Sequence, residues 1–146
     1  MGERIPIGAD HAGFPLKERL KAELVRLGYE PDDVGTCSTE PVDYPDFAKP
    51  VAKLVSAGEV ARGVLMCGTG LGMAYTANRF PHVRAADCWS PEIAELARRH
   101  NDANILALPA RFVSEEEAIA IMRTWLDTPF DGGRHARRIA KIEETP

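Results

Sequence analysis

Cys67 stands at the end of an apolar run, Gly63-Val64-Leu65-Met66, and opens the glycine-rich stretch Gly68-Thr69-Gly70-Leu71-Gly72. The order is a buried strand, a reactive side chain, bare backbone, and then a helix-compatible segment from Met73 to Phe80. Such an order sets a thiol beside several free backbone N–H groups. A helix N-terminus carries positive partial charge and favours anions, and the same field raises the thiolate fraction of a cysteine. One short segment therefore offers a base for proton abstraction and a cradle for a developing oxyanion. Glycine-rich strand-to-helix turns also serve packing alone, so two readings stand at this level.

Better-known phosphate loops do not fit. The dinucleotide fingerprint needs a glycine three residues after Gly70, where Met73 sits, and the Gly-Lys-Ser/Thr of the P-loop is absent. A phosphatase-type Cys-x5-Arg loop would need arginine at that same Met73.

Three further groups carry chemical potential. Asp10-His11 follows the first apolar run, and Arg111 follows the last one. Open α/β sheets bind ligands beyond the carboxyl ends of their strands, so Asp10, His11, Cys67 and Arg111 can converge on one crevice. His100-Asn101 is placed differently, just before the fifth strand. A four-residue strand spans about 13 Å at roughly 3.3 Å per residue, so His100 should be remote from the crevice of its own chain. It is either a structural histidine at a helix C-terminus, where a cation is favoured, or it serves a second subunit. Arg134 and Arg138 are one helical turn apart and face the same way, with His135 beside them. That is a solvated basic face, or an anion site that Gly132-Gly133 lets a ligand approach and whose arginine forks suit phosphate oxygens.

The elements that must position these groups are legible as alternating apolar and amphipathic runs. Strands are expected over Ile5 to Gly8, Glu30 to Val34, Gly63 to Cys67, Arg84 to Asp87 and Ile105 to Leu108. Pro6 points to a strand edge or start for the first. Helices are expected over Phe14 to Leu27, with Leu16, Leu20, Leu24 and Leu27 at helical spacing, and over Tyr44 to Ser56, Gly72 to Phe80 and Pro91 to His100. Ser90 is the expected N-cap of that last helix, with proline at its first position. Ser114 to Asp127 opens on a Ser-x-x-Glu capping box, and a terminal helix runs from about Arg134 to Glu143. Five strands alternating with helices call for an α/β fold with a five-stranded parallel sheet covered on both faces, its crossovers right-handed, and a C-terminal helix.

With 146 residues, the chain fits one domain, 1–146, large enough to bury roughly 70% of its unfolded surface. Its 45% hydrophobic and 27% charged residues are those of an ordinary soluble globular protein. A net charge of −4 argues against nucleic-acid or acidic-membrane partners. The three cysteines, Cys37, Cys67 and Cys88, are odd in number and form no C-x-x-C pair, against a disulfide framework or a zinc site. No apolar run approaches a membrane span and the N-terminus lacks a signal core, which leads to an expectation of a cytoplasmic location.

Five ordered motifs together carry a resemblance. Gly8-Ala9-Asp10-His11-Ala12-Gly13-Phe14, Val42-Asp43-Tyr44-Pro45, Cys67 to Gly72, Arg99-His100-Asn101-Asp102 and Gly132-Gly133-Arg134-His135 resemble the ribose-5-phosphate isomerase B family over nearly the whole chain. The resemblance implies a Rossmann-like three-layer sandwich, a homodimer with two sites at the subunit interface, and no cofactor or metal. Whether dimers pair into tetramers is left open. It implies an aldose–ketose isomerase acting on ribose 5-phosphate, ribulose 5-phosphate or a related four- to six-carbon sugar phosphate. In that scheme Cys67 is the base between C1 and C2, and His100 helps to open the sugar ring. Thr69 and Asp10 assist, and the Gly68, Thr69, Gly70, Leu71 and Gly72 segment stabilises the enediolate. Asp10, His11, Tyr44, Asn101, Arg111, Arg134 and Arg138 match positions that bind sugar or phosphate, some of them from the partner chain. Some branches use a glutamate one turn on in place of the cysteine, and no glutamate occurs between Gly68 and Asn78. The departures are Tyr75 and Thr76, where smaller residues are usual, and the loop from Cys37 to Val42; these bear on the substrate. A non-catalytic phosphosugar-binding module is the competing class.

Overall fold

The computed structural model describes residues 2–146. Five strands alternate with helices: β1 (Arg4–Ala9), α1 (Phe14–Arg26), β2 (Glu30–Asp33), α2 (Pro45–Ser56), β3 (Gly63–Cys67), α3 (Leu71–Ala77), β4 (Ala85–Asp87), α4 (Pro91–Asn101), β5 (Ile105–Pro109) and α5 (Glu115–Asp127). The helix α6 (Arg134–Ile142) ends the fold. The strands form one parallel sheet in the order β2-β1-β3-β5-β4. Consecutive strands first step outward from β1 to β2 and then cross to β3, so the strand order reverses between β1 and β3. The carboxyl ends of those two strands flank the crevice in which open α/β sheets hold ligands.

All five residues of β3 and of β5 are buried, as expected for strands covered on both faces. The side chains divide by the period of two. Val64 and Met66, with Leu106 and Leu108, pack under α1, α4 and α5 around Leu20, Ala97, Ile121 and Trp125. Leu65 and Cys67, with Ile105 and Ala107, pack under α2 and α3 around Val51, Ala52, Met73 and Ala77. The same alternation that fills two cores thus turns the Cys67 side chain toward α2 and α3.

Local signals decide the element ends. Ser90 accepts from the Ile93 N–H at 3.3 Å. Ser114 and Glu117 close the predicted capping box reciprocally, at 3.1 and 2.9 Å. The third helix is shorter than its sequence pattern, because Asn78 leaves it to bind β4. The Asn78 side-chain amide donates to Ala85 O at 3.0 Å and its oxygen accepts from Ala85 N–H at 2.8 Å.

Two residues behave unlike their types. Pro6 lies not at a sheet edge but in β1, which has a neighbour on each side. Along β1 the Ala9 N–H donates to Gly35 O and the Asp10 N–H to Met66 O. The alternation puts the Pro6 nitrogen on the β3 side, one residue before pairing with β3 begins at Ile7, so no ladder bond is lost. Lys17 is wholly buried within the amphipathic α1. Its ammonium reaches both oxygens of Asp33 at 2.7 Å and Glu18 at 3.0 Å, pairing that a buried charge requires.

Asp87, at the end of β4, is the fold's local conflict. Its Oδ2 accepts from the Trp89 indole N–H at 3.2 Å, while its buried Oδ1 has no partner. Burial pushes the carboxyl up to about 6, against the smaller opposing effect of the Trp89 bond. Oδ1 sits so close to Gly70, whose φ is +78°, that a Cβ there would lie 2.0 Å from it. Unfolded, this carboxyl ionises near its ordinary 3.8; folded, near 6. Folding is therefore penalised above pH 6 and unpenalised below about 4. Asp87→Asn should exceed the parent in stability at pH 7.5 by about 1–2 kcal/mol, allowing for solvent reaching part of the side chain. That gain should fade as pH drops from 6 to 4, which urea titrations across the range would check; a gain persisting at pH 3.5 contradicts it. Gly70→Ala, combining a left-handed backbone with this overlap, should cost about 2 kcal/mol or more in the same titration.

Candidate active site

The crevice between β1 and β3 is built from the first residues after each strand. Asp10, immediately beyond β1, is 7% exposed and its Oδ1 accepts the Gly13 N–H at 3.0 Å. That bond fixes the carboxylate at the start of α1 and leaves its other oxygen for a ligand. His11 follows, and its Nδ1 accepts the Val42 N–H at 3.1 Å. An imidazole that accepts at Nδ1 carries its proton on Nε2, so the long polar loop from Gly35 to Tyr44 sets His11 as a donor.

Cys67 closes β3. The Gly70 N–H donates to its sulfur at 3.2 Å, which ties the side chain to the loop backbone. Thr69 Oγ1 accepts the Leu71 N–H at 3.2 Å, which leaves the hydroxyl hydrogen free to donate outward. Arg111, from the turn after β5, gives its backbone N–H to Gly68 O at 3.0 Å and lays its guanidinium along Gly68. A Cβ on Gly68 would stand 3.1 Å from the Arg111 Nη1. Glycine is needed again at 72, where a Cβ would fall 2.5 Å from the Tyr44 ring. The bare backbone thus admits an arginine on one side and a tyrosine on the other.

These residues enclose one cleft of about 300 Å³, lined by Asp10, Tyr44, Cys67, Gly68, Thr69, Gly72, Tyr75 and Arg111. Seven of the ten residues named by sequence on this side of the sheet, Arg111 among them, line it directly. Gly70 and Leu71 complete the loop behind them, and His11 stands beside Asp10. Tyr75 is the one lining residue that the sequence reading did not place in the site. Its signal was present as a departure, a large aromatic where the resembling family carries a small residue.

Four of the named residues are elsewhere in this chain. His100 and Asn101 end α4, at the amino end of β5, whereas Cys67 pairs with Pro109 at its carboxyl end. Arg134 and Arg138 project from α6 and are exposed. His135, between them and buried, stacks on His100 with centroids 4.5 Å apart and planes 12° apart. The His135 imidazole is held below the usual range by burial first and then by Arg134, His100 and Arg138. A second cluster therefore forms at the opposite end of the sheet, basic and turned outward.

Within it His100, Asp131 and His135 bring one ligand atom each within 4.8 Å of one another. Arg99 already pairs with Asp131 at 3.4 Å, and the arginines that disfavour a proton on His135 also oppose a metal cation. The charge there suits an anion.

The family model described as Ribose/Galactose Isomerase matches residues 5–142. The chain is 46% identical to ribose-5-phosphate isomerase B of Escherichia coli K12 over 96% of this chain and 94% of that one. The crystal structure of a ribose 5-phosphate isomerase from Thermotoga maritima is 52% identical and superposes with a TM-score of 0.95, covering 99% of this chain and 100% of that one. The enzyme of Mycoplasma genitalium, solved with bound ribulose-5-phosphate, is 41% identical with a TM-score of 0.94, covering 98% and 95%. A strand-end cysteine under a loop of amides, at the switch point of a sheet that superposes this closely, makes the chain a member of the ribose/galactose isomerase family.

Proposed function

We propose that this chain is an aldose–ketose isomerase that interconverts ribose 5-phosphate and ribulose 5-phosphate through an enediolate. The single observation that carries the reading is the Cys67 sulfur held by the Gly70 N–H inside a cleft whose floor is the Gly68 to Gly72 backbone. Moving a carbonyl between neighbouring carbons needs a base for a weakly acidic C–H and a stabiliser for the oxyanion. From aldose to ketose, the Cys67 thiolate takes the proton from C2, and the C2–H electron pair forms the C1–C2 double bond as the carbonyl electrons move onto O1. The C2 hydroxyl proton then passes to O1 while the thiol returns its proton to C1. General acid–base help supplies about 10²–10⁴-fold, and a preorganised oxyanion donor about 3–4 kcal/mol in a dry site. Two or more such donors acting together, from the loop amides and the outward Thr69 hydroxyl, make the larger contribution. Asp10 and His11 hold sugar hydroxyls, with Tyr44 as the wall behind them.

The site is completed by a second copy of the chain. His100 of the partner subunit assists ring opening, Asn101 of the partner subunit binds the sugar, and Arg134 and Arg138 of the partner subunit join Arg111 on the phosphate. Support for this comes from the surface of α4. Ile93, Leu96 and His100 recur at i, i+3 and i+7 on one face, and Ile93 and Leu96 are 49% and 40% exposed. At the head of that stripe Trp89 stacks on Phe112, centroids 5.1 Å apart and both exposed. An apolar stripe of this kind on a helix is an association surface, and it ends on the histidine that its own cleft lacks. We assign the homodimer, and a cytoplasmic place for this sugar-phosphate chemistry, on the same reading. No helix among the described residues is long and apolar enough to cross a membrane.

Incubation with ribose 5-phosphate, followed by detection of ribulose 5-phosphate, separates this enzyme from a phosphosugar-binding module. Cys67→Ser is expected to abolish turnover while ligand affinity stays within a few-fold; full activity in that variant removes the base. The shared site has its own check. Cys67→Ser and His100→Asn homodimers should each be inactive, but a mixture that exchanges subunits should recover up to about one quarter of the parent activity, since each hybrid dimer regains one intact site. No recovery despite proven exchange would place both residues in one chain's site.

A further inference from the structure

We propose that Tyr75 is a specificity-determining residue: its ring touches the sugar at the mouth of the cleft and restricts the enzyme to the five-carbon chain. This inference rests on the isomerase reading above and concerns which sugar phosphate that site accepts.

The helix α3 has a buried face, Met73, Ala74 and Ala77, and an outer face, Leu71, Gly72 and Tyr75. Tyr75 lines the cleft yet is 67% exposed, so its ring adds nothing to either core. Thr76, beside it, is used internally, its hydroxyl donating to Gly72 O at 2.9 Å. Gly72 and Tyr75 are three residues apart and share a face. Over Gly72 the space is filled by the Tyr44 ring, which a Cβ would meet at 2.5 Å. Tyr44 and Tyr75 therefore both line the cleft above the loop that follows Cys67.

An acyclic sugar phosphate in this cleft is fixed at both ends, its C1–C2 unit at the Cys67 sulfur and its phosphate by arginine. A chain one carbon longer, held at the same two ends, has to bow. It cannot bow inward, because the floor is packed backbone with the Arg111 guanidinium pressed along Gly68. It bows toward the mouth of its own chain's cleft, where Tyr75 stands. The five-carbon chain instead lies under the ring and gains the apolar contact of its C–H face. One added carbon against an apolar wall is discriminated by roughly 10–200-fold, the range to be expected of a single ring.

The test compares kcat/KM for ribose 5-phosphate with that for an aldohexose 6-phosphate of the same configuration at C2 and C3. Tyr75→Ala should raise the six-carbon to five-carbon ratio by about 10–100-fold, chiefly through KM for the longer sugar. Tyr75→Phe, which keeps the ring, should hold the parent ratio. Light scattering on each variant reports subunit association. An unchanged ratio in Tyr75→Ala, with the parent active on ribose 5-phosphate, overturns the inference and leaves the isomerase standing. A Tyr75→Ala protein that dissociates without a change in ratio overturns it too, making the ring an interface residue. A parent protein that turns over neither sugar overturns the isomerase reading, and the role of Tyr75 with it.

Discussion

The direction of one side chain at the end of one strand governs the site. β3 is buried on both faces, so its alternation is dictated by two cores at once, and Cys67 cannot change face without moving Val64, Leu65 and Met66 with it. Its sulfur is thereby aimed to the α2–α3 side with the certainty of a core residue while sitting at the sheet's open end. Reactive groups on loops lack that restraint. What the loop contributes here is absence: at Gly68 and Gly72 the missing Cβ atoms are what let Arg111 and Tyr44 come close.

Much of this was readable from the chain because the signals are local. The period of two in Gly63 to Cys67, the leucine stripe of α1, and the caps at Ser90 and Ser114 depend on neighbours within a few residues, and the structure reproduces them. That Asp10 and Cys67 share one edge was legible because both follow strands of a parallel sheet, whereas the strand order that makes them neighbours was not. What was not readable depends on contacts between distant segments. Pro6 is harmless in an interior strand only because pairing with β3 starts one residue later. Lys17 is buried only because Asp33, sixteen residues on, meets it. α3 stops early because Asn78 finds Ala85 across a turn. Tyr75 was visible as an oddity of type, but only the path of α3 along the cleft gives that oddity a place.

Asp87 shows how the loop after β3 is tied to the sheet edge at a cost to stability. A carboxyl oxygen with no partner lies against Gly70, the residue whose N–H also holds the Cys67 sulfur. Position 70 is thus constrained from below by the acid, from above by the thiol, and by its own positive φ. A loop so boxed in keeps its amides aimed before any substrate arrives, which is the condition for electrostatic preorganisation. Local conflicts of this kind concentrate where geometry is maintained for chemistry.

The separation between the cleft and the His100–His135 cluster is what the proposed second subunit would bridge. Within one chain the thiol lies at the carboxyl end of β3 and the His100–His135 stack at the amino end of β5. Those strands run parallel with Gly63 opposite Ile105 and Cys67 opposite Pro109, so the gap is at least a strand length, about 13 Å. A five-carbon phosphate cannot have its C1–C2 unit at one end and its phosphate at the other while the histidine proposed for ring opening stays beside the carbonyl. A two-fold axis lying across the strands places the amino end of one sheet beside the carboxyl end of the other. In the proposed homodimer the interface is isologous and every contact occurs twice, so one apolar stripe on α4 would assemble two complete sites. On the reading proposed above, association and activity are coupled: His100, assigned there to ring opening, reaches a cleft only when a second copy's α4 has docked.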